Sequence, residues 1–202
     1  MKRCLTALFA LVLCTLAYAH KPSDSYLTLS QQEAAPQLHM QWDIAIRDLD
    51  MALGLDHDLD GKVTWGELQA AEARLQSYAF EHLRVNAGGQ VCVPLYRGLQ
   101  VDKHVDGMYA VINAELSCAA ADSYQVDYSL LFEFDRLHKG IVTLKQGASN
   151  QVAIASADQH TVTIKANGTG LIKQLGQFVK EGVWHIWIGF DHILFLISLL
   201  IP

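Results

Sequence analysis

The residues of this sequence with the clearest chemistry are the twelve of DHDLDGKVTWGE, Asp56–Glu67. Oxygen donors recur at alternate positions: Asp56, Asp58 and Asp60, then the backbone carbonyl of Lys62, then Thr64, with Glu67 in the twelfth place. A hard cation such as Ca²⁺ takes about six to eight oxygens at ~2.3–2.6 Å, which this donor series can supply. Gly61 stands sixth, where the loop turns sharply and needs a residue tolerant of positive φ, and Val63 supplies the apolar eighth position. Four carboxylates in so short a stretch repel one another unless a cation lies among them. The spacing predicts an EF-hand-like Ca²⁺ loop with Asp56, Asp58, Asp60, Lys62, Thr64 and Glu67 as ligands. The alternative is a solvated acidic turn. Sensor loops come in pairs and this one is single, so the expected role of the ion is a structural staple.

A second set of metal-capable groups stands where hydrocarbon should reject it. Val183–Ile201 is an apolar run of 19 residues without Lys, Arg or Glu. As a helix it would be about 28 Å long, close to the ~30 Å hydrocarbon core of a bilayer. Trp184 and Trp187 lie near its start, where an interfacial belt belongs. It nevertheless carries His185, Asp191 and His192. At helical spacing His185, Gly189, His192 and Leu196 share one stripe, and such polar and small residues turn towards other helices rather than lipid. His185 and His192 are about 10.5 Å apart along the axis, too far for one ion with ~2 Å bonds. A complete site therefore needs a break near Gly189, ligands from other helices, or successive stations along a path. A proton relay and histidines filling polar gaps in a bundle are the alternatives.

Other candidates are weaker. His104 and Asp106, and Asp135 with His138, sit between expected strands and suit turns better than an exported metal-loading site. His20, as a new N-terminus, could chelate copper through its amine and ring, but one residue supplies no further ligands. No nucleophile elbow, phosphate loop, zinc-protease motif or CxxC is present. The chain is therefore not expected to be an enzyme.

These groups need elements to hold them. Hydrophobic residues make up 51% and charged residues 18%, enough for a folded core. The net charge is −6 with no basic run, which argues against nucleic acid as a partner. Lys2 and Arg3, the apolar Cys4–Leu16 and the small-x-small Ala17–Ala19 read as a signal peptide over 1–19. Its removal leaves Cys92 and Cys118, which in an oxidising compartment suggest one disulfide worth about 3 kcal/mol. Period-two segments predict strands at Ser25–Ser30, Leu38–Ile46 and in a series from Asn86 onward, with Cys92 and Cys118 on strands and one strand running through Phe134. Helical spacing predicts a short helix over Arg47–Leu55 and one longer helix over Trp65–Val85. The expected architecture is mainly β with helices. An exported antiparallel β-sandwich over 20–168 carries the helix–loop–helix insert, an amphipathic interfacial helix follows over 169–182, and a first transmembrane helix over 183–202.

The arrangement His185-x₅-Asp191-His192 inside HIWIGFDHILFL resembles the first-helix motif of the HupE/UreJ family, hydrogenase- and urease-accessory membrane proteins regarded as nickel or cobalt permeases. SYLTL, WDIAIRDLD, LDHDLDGKVTWGEL, HVDGMYAV and FDRLHKG are similar to a branch with a long exported domain. The resemblance implies a transported Ni²⁺ or Co²⁺, with His185, Asp191 and His192 along its path. It implies an inner-membrane protein whose bulk faces the periplasmic side, with the lipid bilayer and further transmembrane helices as partners. Permeases of this type have several spans, so the chain is expected to be truncated or unable to transport alone. The alternative is a membrane-anchored, calcium-stabilised periplasmic binding module.

Overall fold

Alternation of apolar and polar residues builds the first strands. In β1 (Asp24–Gln31) Leu27 and Leu29 are buried, and in β2 (Gln37–Ala45) Leu38, Met40, Trp42 and Ile44 are buried. In this computed structural model the described residues are 23–31, 37–118, 121–147, 149–165 and the positions 176, 179, 182 and 183. The expected signal peptide, His20, most of the interfacial helix and the membrane segment with His185, Asp191 and His192 lie outside them. Among the described residues no helix is long and apolar enough to cross a membrane.

The other strands are β3 (Leu83–Ala87), β4 (Gln90–Val91), β5 (Val93–Lys103), β6 (Met108–Ser117), β7 (Ser123–Tyr128), β8 (Lys139–Gln146), β9 (Ser149–Ser156) and β10 (Thr161–Lys165). They form a six-stranded sheet, β5-β6-β2-β1-β8-β9, and a four-stranded sheet, β10-β7-β3-β4. Inward residues of both sheets belong to one core, with Trp42 of the larger sheet packing edge-on against Tyr128 of the smaller at 5.6 Å. The protein is thus mainly β, as expected, and two sheets sharing one core are consistent with a sandwich.

The expectation of an all-antiparallel arrangement is corrected: β1 and β8 pair in parallel, Asp24 opposite Lys139 through Gln31 opposite Gln146. Parallel neighbours need a long crossover. Here the chain between them builds β2 to β7 and re-enters beside the start of β1, where the Lys139 amide donates to the Ser23 carbonyl at 3.0 Å.

The single long helix expected over Trp65–Val85 is also corrected. Helix α1 (Ile46–Leu53) ends at Gly54 in the left-handed region, and the later stretch divides into α2 (Trp65–Ala70) and α3 (Glu72–Glu81). The break at Ala71 (φ −91°, ψ 0°) lets Leu68 and Ala71 as well as Leu75 and Ala79 enter the core. Leu83 and Val85 leave the helical pattern because burial in β3, opposite Tyr128 and Val126, satisfies their side chains and backbone together. The strand expected through Phe134 stops at Tyr128. Leu130 and Leu131 are both buried but in a turn, where Leu131 takes φ +63°, a left-handed conformation that ends the extended backbone.

Cys92 and Cys118 form a disulfide with Cα atoms 4.7 Å apart. They lie just beyond strand ends rather than on strands. Val93 and Ser117 are ladder partners in β5 and β6, so the next residue outward on each side faces the other. The Cys92 amide also donates to the Val85 carbonyl at 2.8 Å, so the bridge fixes the point where the chain crosses from the small sheet to the large one. The enclosed separation of 26 residues corresponds to about 3.5 kcal/mol in the chain-entropy account.

Candidate metal centre

The acidic loop is held at both ends by its own helices. Asp50 near the end of α1 accepts the Leu55 and Asp56 amides at 2.7 and 2.8 Å, and Arg74 of α3 donates to the Leu53 carbonyl at 3.1 Å. At the far end Thr64 caps α2: its hydroxyl accepts from the Glu67 amide, and the Glu67 carboxylate accepts from the Thr64 amide at 2.8 Å. This reciprocal pair is the capping box.

Between these anchors the carboxylates turn inward. One oxygen from each of Asp56, Asp58 and Asp60 lies within 4.8 Å of the others. Two ligands of one Ca²⁺ with ~2.4 Å bonds stand at most ~4.8 Å apart, so the three oxygens meet the spacing that a shared ion requires. The loop is wound around them: Asp56 accepts the Asp60 and Gly61 amides, Asp58 accepts the Asp60 amide, and Asp60 accepts the Lys62 amide. Gly61 has φ +83°, so any other residue at the sixth position would be strained. Val63 packs against the core.

Glu67 stands apart from the three aspartates. Its two oxygens accept the His57 amide and the Thr64 amide and hydroxyl, each at 2.8 Å. Those hydrogen bonds, the Thr64 backbone first, lower its pKa to about 2. The structure therefore joins Asp56, Asp58 and Asp60 directly, while Glu67 and Thr64 brace the loop; clamping by Glu67 requires its carboxylate to share its lone pairs with the ion.

The remaining candidates separate clearly. His104 stacks on Tyr109 at 4.0 Å and its Nε2 lies 3.2 Å from Asp43. Tyr109 in turn donates to Asp106 at 2.8 Å, so the β5–β6 turn is pinned by its own side chains. Asp135 accepts the Leu137 amide within the turn after β7. His138 is fully buried and engaged at both nitrogens, which removes it as a metal ligand.

His138 belongs instead to a buried chain of hydrogen bonds. Trp42 Nε1 donates to Ser25 Oγ at 3.2 Å, Ser25 Oγ lies 2.6 Å from the Tyr128 hydroxyl, and that hydroxyl lies 2.7 Å from His138 Nε2. On the other side His138 Nδ1 lies 2.5 Å from Ser23 Oγ, which donates to Asp48 at 2.8 Å. Because Ser23 gives its only proton to Asp48, Nδ1 must carry the proton of a neutral ring. Nε2 then accepts from Tyr128, which accepts from Ser25. Every hydroxyl gives one bond and takes one. Burial, against the opposing pull of Asp48, Asp135 and Glu133, lowers the His138 pKa to about 4, so the ring is neutral at pH 7. Serine, histidine and aspartate meet here as in a nucleophile relay, but Ser23 is 4% exposed and His138 0%, so the group acts as structure.

Sequence reading missed one further cluster, the cleft formed by His82, Glu133 and His160. Its members come from the end of α3, the turn after β7 and the residue before β10, so no local spacing announced it.

No curated protein matches this chain. The family model described as HupE / UreJ protein matches residues 158–202, from the β9–β10 turn to the last residue and across the His185-x₅-Asp191-His192 motif. The match covers this closing segment alone, and it is there that the chain is similar to HupE / UreJ proteins.

Proposed function

We propose that this chain is the exported domain and first membrane helix of a HupE/UreJ-type transition-metal permease or accessory membrane protein, carrying nickel or cobalt as substrate. The observation that carries the reading is the family match over 158–202, which contains the one stretch combining bilayer length with imidazole and carboxylate groups. At helical spacing His185 and His192 would share a stripe with Gly189, a composition suited to a face turned towards other helices, with Asp191 beside it; imidazoles suit Ni²⁺ and Co²⁺, and weak successive stations favour passage over retention. The β domain stands on the periplasmic side. Its Asp56–Glu67 loop holds a structural Ca²⁺ through Asp56, Asp58 and Asp60, the Lys62 carbonyl, Thr64 and Glu67. The grouping of three aspartate oxygens within 4.8 Å supports this assignment.

The test is nickel and cobalt accumulation in cells expressing the full-length protein, compared with His185→Ala and His192→Ala. Each substitution is expected to lower uptake at least tenfold at equal membrane abundance. Uptake unchanged in both variants overturns the path.

A further inference from the structure

We infer that the cleft lined by His82, Glu133 and His160 is a binding site for one divalent first-row transition cation that takes imidazole ligands. The inference rests on the cleft's own donors and holds whether or not the membrane segment passes metal.

The argument begins with which ring nitrogens carry protons. His82 Nδ1 lies 2.7 Å from the Tyr78 carbonyl oxygen. A carbonyl can only accept, so Nδ1 carries the proton, and the lone pair of the neutral ring is on Nε2. That atom faces Glu133 Oε1 at 3.5 Å. The distance is too long for a charge-assisted hydrogen bond, which would close to about 2.7–2.9 Å. It is close to the ~3.3 Å between two ligands of a tetrahedral ion with ~2.0–2.1 Å bonds. Two lone pairs facing one another repel unless a cation lies between them.

Tyr78 positions both partners. Its carbonyl fixes the His82 tautomer, and its hydroxyl donates to Glu133 Oε1 at 2.7 Å. Outer groups that orient ligands in this way are the usual support of a metal site. His160 repeats the pattern: Nε2 lies 2.7 Å from the Ala157 carbonyl, which leaves the Nδ1 lone pair free to bind. Its ring packs over Phe132 at 5.0 Å in the same cleft. The three donor atoms are not all within 4.8 Å of one another, so an ion seated on His82 and Glu133 gains His160 by a rotation of that exposed ring that exchanges its bond to the Ala157 carbonyl for one to the ion.

The donor set selects the ion. Two imidazoles and one carboxylate suit Zn²⁺, Ni²⁺, Co²⁺ or Cu²⁺, whereas the all-oxygen loop at Asp56–Glu67 suits Ca²⁺. An anion is disfavoured because Glu133 occupies the cleft and Arg136 at its rim turns to Asp158, 3.6 Å away. His160 directly precedes β10 and falls within the family-matched segment, so the site stands where that segment begins.

The experiment uses the full chain in detergent with saturating Ca²⁺ and with His20→Ala, His39→Ala, His57→Ala, His185→Ala and His192→Ala to silence the other exposed imidazoles and those of the two ends of the chain. Zn²⁺ and Ni²⁺ are titrated by calorimetry and by competition with a chromophoric chelator, and X-ray absorption of the bound ion reports its ligands. One equivalent with imidazole coordination is expected. His82→Ala, His160→Ala and the isosteric Glu133→Gln should each weaken binding at least tenfold, and Tyr78→Phe, which keeps the carbonyl, several-fold. The inference is overturned if the parent binds no stoichiometric ion, or if both Glu133→Gln and His160→Ala bind as tightly as the parent; these two change exposed side chains, so misfolding does not confuse the result. Loss of uptake without loss of this binding would bear on the membrane path alone.

Discussion

Acid should unfold the β domain through His138. The folded ring titrates at about 4 against a usual 6.5, because it is buried and hydrogen-bonded at both nitrogens in its neutral form. Between those two values the unfolded chain binds the proton and the folded one does not. Protonation therefore pulls the equilibrium towards unfolding. The stability is fully present above pH 6.5, falls as pH drops through the window, and levels off below about 4. At ~1.4 kcal/mol per pH unit, the gap between 6.5 and 4 amounts to about 3.5 kcal/mol, of which about 3 kcal/mol is lost by pH 4. That is a large fraction of the ~5–15 kcal/mol that holds a typical domain together. Carboxylates also titrate here, so the decisive measurement is a difference. Urea unfolding of wild type and His138→Gln, followed by tryptophan fluorescence from pH 7.5 to 4, should show the wild type losing about 3 kcal/mol more than the variant. The variant itself should be less stable at pH 7, since the chain from Trp42 to Asp48 loses its centre. If both proteins lose the same stability over this range, the neutral buried ring is not what the acid attacks.

Three other outcomes follow from named contacts. A Cβ on Gly140 would stand 2.7 Å from the ring of the fully buried Tyr128, so Gly140→Ala should cost about 1–3 kcal/mol in urea unfolding. Breaking the Cys92–Cys118 bridge by paired Ala substitution should lower stability by about 3 kcal/mol, read from the denaturation midpoint at constant slope. Ca²⁺ at a hundred times its dissociation constant should stabilise the domain by about 2.7 kcal/mol in a thermal melt, and Asp56→Asn with Asp60→Asn should abolish that gain while leaving the apo melt nearly unchanged.

Residues close in sequence announced their own structure. The Asp56–Glu67 loop was legible because its donors lie within one turn of chain and its capping box within four residues. Strands β1, β2, β6, β8 and β10 were legible because alternation survives wherever one face meets the core. The long helix was not, because Leu83 and Val85 fit a helical stripe as well as a strand; only pairing with Tyr128 and Val126 decides between them. The strand through Phe134 failed for the same kind of reason, since two adjacent buried leucines are read as continuation until the turn is seen.

By itself the sequence determined the oxygen-rich loop, the apolar closing run with its histidines, the pairing of Cys92 with Cys118, and a mainly β domain. All of these depend on interactions between neighbours along the chain, or on composition. Tertiary structure decided the parallel pairing of β1 with β8, the interment of His138, and the meeting of His82, Glu133 and His160. Ser23 and His138 are 115 positions apart, and a hydrogen bond between them exists only after two sheets have closed on one core. Their types are visible in the sequence, but what each can do is fixed by the burial and partners that folding provides.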